Sequence, residues 1–100
     1  LNFLRLKFAD ENGLLKQIEK VKSELEEVER AYLEEPDIYR VAEELGDLAQ
    51  AAVTGLWIIE RTHGINPHMV VNRNNRKNEE RGYLVQKPLD FSHTKQMESS

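Results

Sequence analysis

An all-α bundle is the fold this sequence predicts: a central antiparallel hairpin of two long helices, followed by a third, shorter helix. Three observations carry the prediction. Leu14, Ile18, Val21, Leu25, Val28 and Tyr32 recur at steps of four and three with no Gly or Pro among them, which marks one face of a helix over about 14–34. Val41, Leu45, Leu48, Ala49, Ala52, Leu56 and Ile59 mark a second helix over about 37–62. Pro36 stands between them and stops the first, because the residue before a proline avoids the helical region.

Ahead of the hairpin, Leu1, Phe3, Leu4, Leu6 and Phe8 form an apolar pattern that fits either a short helix or an extended arm, and Asp10, Glu11, Asn12 and Gly13 read as a break and cap. In the second helix the stretch from Leu48 to Ile59 is apolar nearly all round, with Val53, Trp57 and Ile58 off the main stripe. A helix apolar on every face is buried on every face. One other long helix cannot cover it, so a subunit interface containing Trp57 is expected there, and the bundle is expected to be completed by oligomerisation. Gly64 suits the position just past a helix end. Asn66 and Pro67 read as N-cap and first residue of the third helix, over about 67–81, which Gly82 ends. The one strand the pattern allows is a short one over 83–85. The 100 residues make one domain, with a core over 13–83 and a polar tail over 84–100.

Composition narrows the function classes. The net charge of −4 is unevenly spread: acids crowd the stretch from Asp10 to Asp47, and Arg73, Arg76, Lys77, Arg81 and Lys87 cluster later. A nucleic-acid polymer wants a continuous basic face, and this distribution argues against one. It suits a site that takes metal ligands from one half and phosphate-binding cations from the other. The chain has no cysteine, which excludes disulfides and Cys-based zinc sites. Its longest apolar run is interrupted by Gln50, Thr54 and Gly55, too polar for a membrane span. No signal-peptide pattern opens the chain, and a cytoplasmic location is expected. Because the first residue is Leu, the true start is expected upstream.

The chemistry lies on the flanks of the apolar stripes. On the first helix Gln17, Lys20, Glu24, Glu27 and Ala31 run beside the stripe, and on the second Glu44, Asp47, Ala51 and Gly55 do the same. Each helix thus offers two carboxylates at i and i+3, which share a face. A hairpin brings the two pairs together. Two carboxylates about 5 Å apart repel by about 3 kcal/mol at an effective dielectric near 20. A divalent cation removes that cost, and an all-oxygen donor set favours Mg²⁺, Mn²⁺ or Ca²⁺ over zinc or copper. For any one acid, plain solvated surface is the competing reading, and it is the one assigned to Glu19, Glu26, Glu29, Glu34 and Glu43.

Three segments resemble a known family. Ser23 to Glu27, followed by Ala31, resembles the first motif of the MazG-like all-α nucleoside triphosphate pyrophosphohydrolases, E-E-x-x-E. Glu43 to Asp47 resembles their second, E-x-x-D, and Asn74 to Tyr83 their third, with Asn74, Lys77 and Arg81 at N-x-x-K-x-x-x-R spacing. Gln17 and Lys20 also stand where such proteins often carry them. The resemblance runs over 13–83 in the family's order. It implies a MazG-like helical domain that forms a homodimer or tetramer and binds Mg²⁺, with Mn²⁺ as a substitute, through Glu24, Glu27, Glu44 and Asp47. The implied reaction is hydrolysis of a nucleoside triphosphate to the monophosphate and pyrophosphate. Gln17, Lys20, Asn74, Lys77 and Arg81 would bind substrate, and Lys77 would also neutralise charge on the leaving group. Ser23 replaces the usual first Glu of the first motif, and Asn78 stands where an aromatic often follows the lysine. Two other readings remain: a phosphoribosyl-ATP pyrophosphatase-like enzyme, and a non-catalytic helical module that binds nucleotide or mediates oligomerisation.

Overall fold

A computed structural model describes residues 2–34 and 37–85. They are helical with no strand, in the order α1 (Phe8–Glu11), α2 (Leu14–Glu34), α3 (Ile38–His63) and α4 (Pro67–Glu80). Pro36 and the tail from residue 86 lie outside the described residues. The predicted short strand over 83–85 is absent. Ahead of α2, the short-helix reading of the N-terminal pattern is realised over one turn. Residues 2–6 have no regular secondary structure and lead into α1, which takes in Asp10 and Glu11, and the break falls at Asn12 and Gly13.

Local chemistry sets the helix ends. Asp37 caps α3, its side chain accepting from the Tyr39 amide at 3.0 Å. Past the other end, Gly64 adopts φ 71°, where a side chain would be strained, and its N–H donates to the Glu60 carbonyl at 2.8 Å. The Asn66 side chain accepts from the His68 amide at 2.8 Å and so caps α4. After α4, Gly82 at φ 73° donates to the Glu79 carbonyl and Tyr83 to that of Asn78. Those two bonds together make a Schellman motif.

The described residues fall into two compact units, divided between Met69 and Val70. In the first, α2 packs along α3 and α1 packs on α3. The α2–α3 contact is antiparallel: the Gln17 amide donates to the Ala51 carbonyl at 2.9 Å, and Glu24 lies beside Asp47. The residues these two helices bury are Gln17 and Ala31 of α2 and Val41, Ala51, Thr54 and Ile58 of α3. Ala31 and Ala51 are buried, and their small side chains let the backbones approach. Gly55 adds to this, although the Gln17 side chain fills the space beside it: a methyl at Gly55 would meet Gln17 Cγ at 3.8 Å, an ordinary contact.

α1 supplies part of the cover that the apolar second half of α3 requires. Ile58 is 0 % exposed within the chain. The Trp57 ring lies under the Arg5 guanidinium, 5.1 Å from its centroid, and meets the His68 ring edge-on. Arg61 fastens α1 from α3, donating to the carbonyls of Ala9 at 2.9 Å and Asn12 at 2.6 Å. The large exposed apolar residues of the hairpin lie elsewhere. Ile18, Leu25 and Tyr32 of α2 and Ile38 and Leu45 of α3 are exposed, Leu25 at 47 % and Leu45 at 49 %. Among the described residues no helix is long and apolar enough to cross a membrane.

Candidate functional site

The α2–α3 contact brings three of the four sequence-selected carboxylates together. One oxygen each from Glu24, Glu44 and Asp47 lies within 4.8 Å of the other two. Glu44 and Asp47 are i, i+3 on α3, so one helical face presents both. Glu24 meets them because the small residues at the contact hold α2 close. Glu27 is not in the group. Its carboxylate instead accepts from Arg30 at 2.6 Å.

A cation of the chain already sits on the trio. Lys20 Nζ is 2.7 Å from Glu24, whose side chain is 12 % exposed against 57 % for Lys20. The Lys20 pKa is raised above the ordinary 10.5, first by its hydrogen bond to Glu24 and the charge of that carboxylate, then by the charges of Asp47 and Glu27, with burial opposing. The field of Glu24, Asp47 and Glu27 therefore stabilises a positive charge here. Its donor set is all oxygen, and Asp47 is exposed, which leaves room for water and a substrate oxygen. That fits Mg²⁺, which keeps several waters and shares its shell with phosphates. Mn²⁺ fits the same donors.

A cavity of about 650 Å³ adjoins the trio between α1, α2 and α3. Small-molecule sites occupy roughly 300–1,000 Å³. Its acidic end holds Glu24 and Asp47, and Lys16 and Lys20 also line it. Its other end is bounded by Leu6, Phe8, Asn12, Gln50 and Thr54, and Glu19 lines the cavity as well. Gln17 lies buried between the two, with both halves of its amide engaged: Nε2 donates to Ala51, and Oε1 accepts from Asn12 Nδ2 at 3.1 Å.

No protein-family model, curated protein or solved structure matches the chain. The site therefore rests on its own geometry and on the three motifs.

The remaining sequence-selected residues belong to the second unit. Asn74 and Lys77 are exposed on α4, and Arg81 is exposed just beyond it. Lys77 shares a shallow depression of about 220 Å³ with Arg73, Arg76 and Glu80, so two arginines of the basic cluster stand with it. Sequence reasoning also passed over the α1 end of the cavity. Gln50 and Thr54 were visible only as polar breaks in the apolar run of α3, which is the signal that could have found them.

Proposed function

We propose that this chain is a MazG-like, Mg²⁺-dependent nucleoside triphosphate pyrophosphohydrolase that releases nucleoside monophosphate and pyrophosphate. The observation that carries the reading is the convergence of Glu24, Glu44 and Asp47 from two helices onto one point beside a cavity. Three carboxylates held this close by helix packing repel one another, a cost that a divalent cation would relieve, and the motifs around them supply the reaction class. When bound, the metal withdraws charge from a phosphoryl oxygen and lowers the pKa of an attacking water.

Glu24, Glu44 and Asp47 hold the cation. Glu27 completes the set, since its ion pair with the exposed Arg30 is weak and readily broken. Lys20 then turns from Glu24 to a phosphate oxygen, which its long, half-exposed side chain allows. Asn74, Lys77 and Arg81 bind phosphates, and Lys77 stabilises the charge that develops on the leaving pyrophosphate. The protein works as a homo-oligomer in the cytoplasm, with the exposed apolar residues of α2 and α3 covered by a second copy.

The test is a screen of the common nucleoside triphosphates for pyrophosphate release, with and without Mg²⁺, on the wild type and on Asp47→Asn. At least one triphosphate should be cleaved only with Mg²⁺, and Asp47→Asn should lower turnover by about 100-fold or more with helicity unchanged, because a hard cation binds a neutral amide poorly. Near-normal turnover in Asp47→Asn removes the metal assignment. Tight nucleotide binding without turnover in the wild type points to the non-catalytic module.

A further inference from the structure

We propose that the N-terminal segment carrying α1 is the substrate-selecting wall of this site, and that the end of the cavity walled by Leu6 and Phe8 takes the nucleobase. The inference rests on the pyrophosphohydrolase reading for the phosphate end and adds a recognition site to it.

The cavity is graded along the hairpin. Gln17 and Glu24 are seven residues apart on α2, about 10 Å along the helix axis. A nucleotide laid in this direction has its phosphates at the trio and its base against α1, with the sugar between. The base end has the composition that planar heteroaromatics require, with apolar walls for the ring faces and a few fixed polar groups for the ring edge. Leu6 and Phe8 supply the walls.

Two polar groups at this end lack partners. Thr54 is 3 % exposed and lines the cavity, yet its hydroxyl has no hydrogen bond among the described residues. A helical threonine ordinarily bonds the carbonyl four residues back, as Thr62 does with Ile58 at 2.8 Å. Gln50 is half-buried, and its carboxamide is also without a partner among the described residues. The hydroxyl and the amide stand open on one cavity wall, where a ligand with donors and acceptors side by side on its edge would meet both. The edge of a purine or pyrimidine has that character. Asn12 Oδ1 is the third group, since the bond from Asn12 Nδ2 to Gln17 holds the side chain and leaves the oxygen free.

The wall is pre-organised. Arg61 ties the backbone at Ala9, within α1, and at Asn12, just past its end, to α3, and Arg5 pairs with Asp10 at 2.7 Å while lying over Trp57. Phe8 and Asn12 are therefore placed before substrate arrives. A base between fixed walls loses affinity by truncation of a wall in proportion to its stacking, about fivefold to a hundredfold for an aromatic side chain.

The experiment is calorimetric titration with inorganic tripolyphosphate and with the α,β-imido triphosphates of the common nucleosides, all with Mg²⁺, on the wild type, Phe8→Ala, Phe8→Leu and Thr54→Val. At least one nucleotide should bind tenfold or more tightly than tripolyphosphate in the wild type. Thr54→Val, which keeps the shape, and the two Phe8 variants should remove most of that preference and leave tripolyphosphate binding unchanged. Equal binding of nucleotides and tripolyphosphate in the wild type overturns the inference. So does a nucleotide preference that survives all three substitutions, or a parallel loss of both ligands. Nucleotide binding that ignores Mg²⁺ yet is lost in Thr54→Val keeps the base site and discards the metal centre.

Discussion

The two flanks of the α2–α3 hairpin differ in nearly every respect. Rotating by one residue onward from the contact positions Gln17, Glu24 and Ala31 reaches Ile18, Leu25 and Tyr32, all apolar and exposed. The same step from Glu44 and Ala51 on α3 reaches Leu45 and Ala52. Because the helices are antiparallel, these steps turn both stripes toward the same side. The opposite flank carries Lys16, Lys20, Asp47, Gln50 and the cavity. The seam between the flanks is small and polar, with Gln17, Ala31, Ala51 and Thr54 buried in it. Such a seam holds the helices close enough for acids on both to share one point, whereas large side chains there would separate them. The apolar side is left to bind another surface.

The sharpest way to break this division is to change one residue on each flank. Glu24→Gln should lower Mg²⁺-dependent turnover by about 100-fold or more, by the loss of a ligand charge, and leave the oligomeric state unchanged. Leu25→Glu, one residue along, should have its effect on assembly. Sedimentation at micromolar concentration is expected to show the wild type self-associated and Leu25→Glu monomeric. A monomeric wild type contradicts the assignment of the apolar flank to a second copy.

The seam should respond differently from both flanks. Ala31→Leu forces a large side chain into a close helix contact, and overpacking of this kind costs about 1–3 kcal/mol. Urea unfolding measures the loss, and turnover should fall with it as the acids move apart. Gly55→Ala tests the same seam with the opposite sign. The added methyl meets Gln17 Cγ at ordinary distance, and replacing a mid-helix glycine by alanine gains about 1 kcal/mol. A destabilised Gly55→Ala would mean that the helices pack more tightly here than the 3.8 Å spacing implies.

The smallest expected effect concerns Lys20. Its pKa is raised in the folded chain, so its contribution to stability is fully present below the ordinary lysine value of 10.5 and is lost as pH rises through the raised value. The side chain is largely exposed, which limits the contribution to at most about 1 kcal/mol. The stability difference between wild type and Lys20→Met should be constant from pH 7 to 9 and shrink only in more alkaline solution. At neutral pH the same variant should bind Mg²⁺ more tightly, since the ammonium no longer competes for Glu24. Weaker Mg²⁺ binding would contradict that competition.

Much of the fold was legible because helix termini have local causes. The limits of α2, the cap at Asn66 and the stops at Gly64 and Gly82 all follow from single residues, whereas the pattern puts Asp37 inside its helix as the first residue and the structure makes it the cap. The rotation of each helix about its axis was not legible. The periodicity of Leu14 to Tyr32 locates an apolar face but does not say what covers it, and α3 meets the neighbouring stripe instead. For the site, the spacing of Glu44 and Asp47 was sufficient to put them on one face. Whether Glu24 or Glu27 would join them depends on that rotation, and the structure selects Glu24. α1, at four residues, is too short to leave a periodic signal, so the cavity it walls could not be foreseen.

The attachment of α1 also has a kinetic side. The hairpin can zip outward from its turn, while the bonds from Arg61 to Ala9 and Asn12 join residues 52 and 49 apart in sequence. A single helical turn does not persist without such support. Docking of α1 is therefore expected to come after hairpin formation in folding and to be the first contact released in the native state. Amide exchange in α1 should proceed through a local opening of low free energy, well below that of α2 and α3. The cavity would lose one wall in that opening while the three acids stayed in place, giving nucleotide a route in and out that leaves the cation undisturbed.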